Sequence, residues 1–296
     1  MQPGITRRVA LRGLLLAWPA LQIVSVAASP DFTSRLRHLE QRHGGRLGVA
    51  FLDLATGLRV HHRANERFPL CSTFKFLAAA LVLARVDRGE EQLQRRVAIT
   101  QADLANRGGQ VSWSPETQKR IGGEGMTISE LCAAAITQSD NTAANLLLAS
   151  FGGPLVLTNY ARSLGDSVTR LDRLEPEVND SRPGDPRDTT SPAAMLEDMR
   201  QILCGAVLSE ASRQQLIAWL VANQTGDNRL RVGLPPGWQA GDKTGTCGRD
   251  VVNDIAIFWP PTSEPCLITA YFAESRATDR QREAVLAEVA KILFAR

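Results

Sequence analysis

The sequence is poor in metal-binding patterns. Only four histidines occur in 296 residues, His38, His43, His61 and His62, all near the N-terminus. There is neither a CxxC pair nor an HExxH motif, so no structural or catalytic zinc site is expected. No acidic residue occurs in the first 28 positions, which carry Arg7, Arg8 and Arg12. Without that stretch, 31 basic residues face 31 acidic ones. A near-neutral chain needs no basic patch, so no nucleic-acid partner is expected. After residue 28 no apolar run is long enough to span a membrane. Repeats and low-complexity tracts are absent too. What remains, 44% apolar and 22% charged residues, suits a globular protein with a large core.

Residues 1–28 have the pattern of an export signal. Arg7 and Arg8 form a basic start, an apolar stretch runs from Leu14 to Val26, and Ser25, Ala27 and Ala28 supply the small residues that cleavage needs. Thr6-Arg7-Arg8-Val9-Ala10-Leu11-Arg12 also resembles a twin-arginine signal. The mature protein is expected to be a soluble periplasmic or secreted monomer, with no membrane contact once the leader is removed. Five cysteines follow the leader: Cys71, Cys132, Cys204, Cys247 and Cys266. Export permits a disulfide, and the odd count leaves at least one thiol over. Cys132, Cys204 and Cys266 lie in apolar contexts and read as buried small hydrophobes.

Along the mature chain, helical spacing over Asp31 to His43 ends at Gly44-Gly45. Strands are predicted over Leu47 to Leu54 and Leu58 to His62, joined by a turn at Ala55-Thr56-Gly57. Helices are predicted over Ser72 to Val86, Met126 to Gln138, Asn141 to Phe151, Pro192 to Leu203, Ser209 to Asn223 and Asp279 to Phe294. Residues 173–188 carry three prolines and a glycine and read as a long loop of the kind that tends to be functional. Three more strands are predicted over Gln239 to Thr246, Asp254 to Trp259 and Cys266 to Ala273. Strands at both ends with helices between them argue for an α/β (α+β) domain. It would hold an antiparallel sheet of about five strands, built from both termini, with an inserted helical subdomain. Residues 29–296 are expected to form a single catalytic domain. Residues 29–68 and 217–296 would form the sheet part and 69–216 the helical part.

Three short motifs could carry chemistry. Ser72-Thr-Phe-Lys75 starts an apolar helix, and a spacing of three puts the Ser72 hydroxyl and the Lys75 amine on one face. A serine hydroxyl needs such a base to become a nucleophile, though Ser72 could equally cap the helix. Ser139-Asp140-Asn141 lies between two helices, where it could relay a proton and bind an amide, or simply cap the second helix. Lys243-Thr-Gly-Thr246 lies in a predicted strand. There Gly245 permits close approach of another backbone, and Lys243 with the threonines could hold a carboxylate.

Taken together and in this order, the motifs resemble those of class A serine β-lactamases, and the likeness extends over nearly all of the mature chain. Glu175-Pro-Glu-Val-Asn179 resembles the fourth motif of that family. There the glutamate and asparagine hold the hydrolytic water. Penicillin-binding DD-peptidases share the other three motifs and lack this glutamate. A β-lactam sensor domain would need a transmembrane relay, which the sequence does not offer. The resemblance implies a small-molecule β-lactam substrate, no cofactor and no metal. It implies Ser72 as nucleophile, Lys75 or Glu175 as its base, and Ser139 as proton donor to the leaving nitrogen. The backbone N–H groups of Ser72 and Thr246 would form the oxyanion hole. Lys243, Thr244, Gly245, Thr246, Arg229, Asn141, Asn179 and Trp113 would bind substrate. Arg173 and Asp188 match the ion pair that closes the loop, and a cis bond is implied between Glu175 and Pro176.

Cys71 and Cys247 flank the Ser72 and Lys243 motifs and resemble the disulfide pair of class A carbapenemases. Together with Arg229 and Trp113 they imply activity extending to carbapenems. Gly248-Arg-Asp-Val-Val-Asn253 is one residue shorter than in those enzymes.

Overall fold

Five extended segments form one antiparallel sheet in the computed structural model, which describes Met1 and residues 31–180, 182–248 and 250–294. They are β1 (Arg46–Asp53), β2 (Arg59–His62), β3 (Gln239–Cys247), β4 (Val251–Trp259) and β5 (Cys266–Ala273), in the order β2-β1-β5-β4-β3. β1, β4 and β5 are buried on both faces, so they read as continuous apolar runs instead of alternating ones. Only the edge strand β2 alternates exposed and buried positions.

One face is covered by α1 (Phe32–His43) and α8 (Asp279–Phe294), whose Leu36, Leu39, Val285, Leu286 and Val289 pack with Val49, Ile268 and Phe272. The other face meets the helices from the middle of the chain, with α2 (Phe74–Asp87) at their centre. α2 is buried without a break from Phe74 to Ala84, so its apolar residues go all round. Around it lie α3 (Ile128–Thr137), α4 (Asn141–Phe151), α5 (Pro154–Ser163), α6 (Pro192–Cys204) and α7 (Glu210–Val221). Local chemistry fixes several boundaries. Thr127 and Glu130 form a capping box on α3, while Asp140, Ser191 and Ser209 cap α4, α6 and α7.

The sheet of five strands agrees with the sequence reading, and four details differ. Ser72 lies in a 3-10 turn, Cys71–Thr73, that precedes α2. α5 was not expected because Gly152-Gly153-Pro154 reads as a stop; Pro154 instead opens a new helix, where its missing N–H costs nothing. β4 begins three residues before Asp254, because Val252 pairs with both Thr246 and Phe272. Cys204, expected to be buried, is exposed at the C-terminal end of α6; Cys132 and Cys266 are buried. Except for Met1, the leader lies outside the described residues. Among the described residues no helix is long and apolar enough to cross a membrane.

Candidate active site

The three motifs meet in an open cleft of about 230 Å³, lined by Ser72, Trp113, Ser139, Asn141, Asn179, Thr225, Arg229, Thr244 and Thr246. Beneath Ser72 its floor is made of the buried side chains of Lys75 and Glu175. The Ser72 hydroxyl donates to Glu175 Oε1 at 3.4 Å, and Lys75 Nζ lies 3.1 Å from the same oxygen. Lys75 also donates to the Ser139 carbonyl at 2.9 Å and to Asn141 Oδ1 at 2.6 Å. Burial pushes the Lys75 ammonium below its ordinary range, against the upward pull of Glu175.

Ser139 sits between two lysines. Lys75 Nζ is 3.5 Å and Lys243 Nζ 3.0 Å from its hydroxyl. Its φ of +56° is a left-handed conformation that a serine adopts only when its surroundings impose it. The next residue supplies that constraint. Asp140 caps α4 through Ala143 N–H and accepts from the N–H groups of Glu116 and Thr117. Burial, and then the charge on Lys75, hold Lys243 well below its usual range.

Glu175 is delivered by the loop 173–188. The Glu175–Pro176 bond is cis. Asn145, one turn beyond Asn141 on α4, grips the Glu175 backbone twice: it accepts from the N–H at 2.9 Å and donates to the C=O at 2.8 Å. Asn179 Nδ2 donates to Glu175 Oε2 at 2.6 Å. The loop is closed at its neck by Arg173 Nε on Asp188 Oδ2, with Asp188 fully buried. Asp188 Oδ1 also takes the N–H groups of Asp172 and Arg173, so this is a buried junction rather than a loose surface pair.

β3 forms the opposite wall. A Cβ on Gly245 would meet Leu70 O at 3.1 Å and the Cys71 Cβ at 3.2 Å, so any larger residue here would press the strand away from the nucleophile turn by a few tenths of an ångström. The Cys71–Cys247 disulfide joins the same two segments, with Cα atoms 5.4 Å apart. Arg229 is buried and donates to the carbonyls of Gly245 and Asn253 at 2.8 Å and to the Thr246 hydroxyl at 2.7 Å. Trp113 is 63% exposed at the mouth, held by its indole N–H on Gln138 O at 2.7 Å.

The residues expected to react or to bind substrate line this cleft or contact those that do, while Arg173 and Asp188 lie at the neck of the loop. Three others escaped the sequence reading. Asn145 repeats Asn141 at helical spacing, a signal that was available. Thr225 contacts the Thr244 hydroxyl at 2.5 Å, and Asn253 Nδ2 donates to Pro69 O at 2.9 Å, tying β4 to the nucleophile turn. Neither had a sequence signal, because both depend on contacts between distant segments.

Comparison with known proteins places this geometry. The sequence profile of the "Beta-lactamase enzyme family" matches residues 31–296. The chain is similar to β-lactamase L2 of Stenotrophomonas maltophilia, at 47% identity over 269 residues, covering 90% of this chain and 85% of the relative. Its similarity to β-lactamase OXY-2 of Klebsiella oxytoca is 44% over 280 residues, covering 95% and 93%. Among solved structures, an ancestral class A β-lactamase superposes with a TM-score of 0.86 at 57% identity, covering 89% of this chain and 99% of that one.

Proposed function

The chain belongs to the class A β-lactamase family and hydrolyses the β-lactam amide bond, giving antibiotic resistance; from this premise we propose how its own residues carry the reaction. The substrate carboxylate docks on Lys243, Thr244, Thr246 and Arg229, and Trp113 stacks on the substrate at the mouth. The lactam carbonyl enters a hole formed by the N–H groups of Ser72 and Thr246, where each donor is worth about 10² to 10³ in rate. Ser72 Oγ attacks the carbonyl carbon and its proton passes to Glu175; as the C–N bond breaks, Ser139 gives its proton to the leaving nitrogen, Lys75 replaces that proton, and Glu175 returns its own to Lys75 across 3.1 Å. Glu175, ionised again, and Asn179 then hold a water; Glu175 takes its proton as it attacks the ester and passes that proton to Ser72 Oγ as the ester C–O bond breaks, freeing the serine. No cofactor takes part.

The observation that carries this reading is the convergence of the Ser72 hydroxyl and Lys75 on one oxygen of Glu175. Glu175→Gln tests it. After a benzylpenicillin pulse, mass spectrometry should find a persistent adduct on Ser72. Turnover at the wild-type rate would refute the role given to Glu175. Nitrocefin separates this enzyme from a DD-peptidase or a sensor domain, since only the hydrolase turns over repeatedly.

The proposed spectrum includes penicillins, cephalosporins and carbapenems. The Cys71–Cys247 bond, with Arg229 and Trp113 at the cleft, supports the last of these. Negligible imipenem turnover beside rapid benzylpenicillin turnover would confine the enzyme to narrower substrates. The proposed setting is the periplasm or the exterior, reached through the leader, with the mature enzyme acting as a monomer. Retention of activity in the cytoplasmic fraction would overturn the first part, and a dimer by light scattering the second.

A further inference from the structure

Between Leu104 and Trp113 the chain makes a small exposed hairpin in which Asn106 pairs with Val111 and Arg107 with Gln110. Gly108 and Gly109 both have positive φ, as a two-residue turn of this kind requires. The base of the hairpin is fastened to the start of α4. Ala105 N–H donates to the Thr142 hydroxyl at 2.8 Å, Asn141 N–H donates to Trp113 O at 2.8 Å, and the Asn141 side chain donates to the Ser112 hydroxyl. The far end reaches the catalytic loop. Arg107 Nη1 and Nη2 donate to the two carboxylate oxygens of Asp180, each at 2.8 Å, and Nε lies 3.7 Å from Glu177 Oε1. Asp180 follows Asn179, the residue that holds Glu175 Oε2. From the other side Arg173 donates to the Asp180 carbonyl at 3.2 Å.

These contacts form a closed frame that runs from α4 through the hairpin and Arg107 to Asp180, Asn179 and Glu175, and back to α4 through Asn145. We propose that Arg107 is a positioning residue for deacylation: it holds the Glu177–Asp180 turn so that Asn179 and Glu175 keep the hydrolytic water aligned. The inference rests on Glu175 being the deacylation base. A two-pronged arginine–carboxylate contact fixes direction as well as distance, which a lysine cannot do. The first step uses Glu175 Oε1, already held by Lys75, so it needs the brace less. Both partners are about half exposed, so the brace is open to screening by salt.

The test is transient kinetics on the full enzyme with benzylpenicillin. In Arg107→Ala the deacylation rate should fall by up to about fivefold, the scale of an exposed ion pair. Acylation should be unchanged, so kcat and KM fall together and kcat/KM holds. Deacylation by the wild type should slow as salt rises from 0.01 to 1 M by roughly the same factor, whereas Arg107→Ala should not respond. Asp180→Arg should behave like Arg107→Ala, and the exchanged pair Arg107→Asp with Asp180→Arg should recover the rate. Unchanged deacylation in Arg107→Ala, equal losses in both steps, or an exchange that fails to restore the rate would each overturn the proposal. Glu175→Gln, run in parallel, separates the two levels. A persistent adduct there with unaltered Arg107→Ala overturns only the role of the hairpin, while normal turnover there overturns both.

Discussion

Lys75 Nζ and Glu175 Oε1 lie 3.1 Å apart with both side chains fully buried. Both are shielded from bulk solvent, so each depends on the other and on a few polar neighbours. Removing one partner strands the other in a low-dielectric site, which typically costs about 3–5 kcal/mol, whereas neutralising both costs far less. Lys75→Met should therefore lower the melting temperature more than Lys75→Met combined with Glu175→Gln, as read by thermal unfolding. Neither variant should regain hydrolysis. A double variant less stable than both single variants would contradict this account of the pair.

The disulfide makes a second prediction. Cys71–Cys247 closes a separation of 176 residues, and the chain-entropy model gives such a link about 5 kcal/mol as an upper figure. Reduction of the wild type should lower its denaturation midpoint, while Cys71→Ser with Cys247→Ser should be insensitive to reductant. Equal midpoints for oxidised and reduced wild type would show that the link adds no stability.

Gly245 sets the spacing between β3 and the nucleophile turn. The added methyl of Gly245→Ala would press on Leu70 O and the Cys71 Cβ. A displacement of Thr246 N–H from the substrate carbonyl should cost about tenfold or more in acylation, since oxyanion donors act over a narrow distance range. Stopped-flow acylation beside a melting curve would check it. A rate loss with most of the stability retained is the expected outcome, and an unchanged rate would mean the wall can yield.

The fourth prediction lies away from the cleft. Asp198 on α6 is buried beside Asp166, whose Oδ1 already accepts from the N–H groups of Val168 and Thr169. Burial, and then the neighbouring Asp166, push the Asp198 carboxyl up to about 9. The unfolded chain releases this proton near pH 4, whereas the folded chain keeps it until about pH 9. The stabilisation is thus fully present below about pH 4 and is lost as pH rises toward 9, by at most about 1.4 kcal/mol per unit. Asp198→Asn, which is neutral at every pH, should flatten the decline between pH 5 and 9 in urea unfolding. Parallel wild-type and variant profiles would refute the linkage.

Much of the site was legible because its chemistry is written in short motifs. Ser72 and Lys75 are three positions apart, and helical geometry alone puts them near each other. Glu175 to Asn179 is likewise local, since Asn179 reaches back four residues to Oε2. The start of α4 was visible in Ser139-Asp140-Asn141, which offered a cap, whereas the caps Thr127, Ser191 and Ser209 emerged only from the structure. Pro154 misled because proline ends one helix and opens another by the same lack of an N–H, and only the packing of Leu157 and Tyr160 against the core selects the second. Cys204 misled because an apolar neighbourhood in sequence is not one in space at the last residue of a helix.

The sequence by itself determined the sheet strands and the buried helix, since periodicity and local spacing act over a few residues, while most of the groups in the cleft were named through the resemblance that the short motifs carry. Only the tertiary structure decided that Ser72 and Lys75 share one oxygen of a residue about a hundred positions away, and that Arg107 braces the loop carrying it. Such contacts follow from how the two cores pack against the sheet, and a linear pattern does not encode which distant side chains that packing brings into contact.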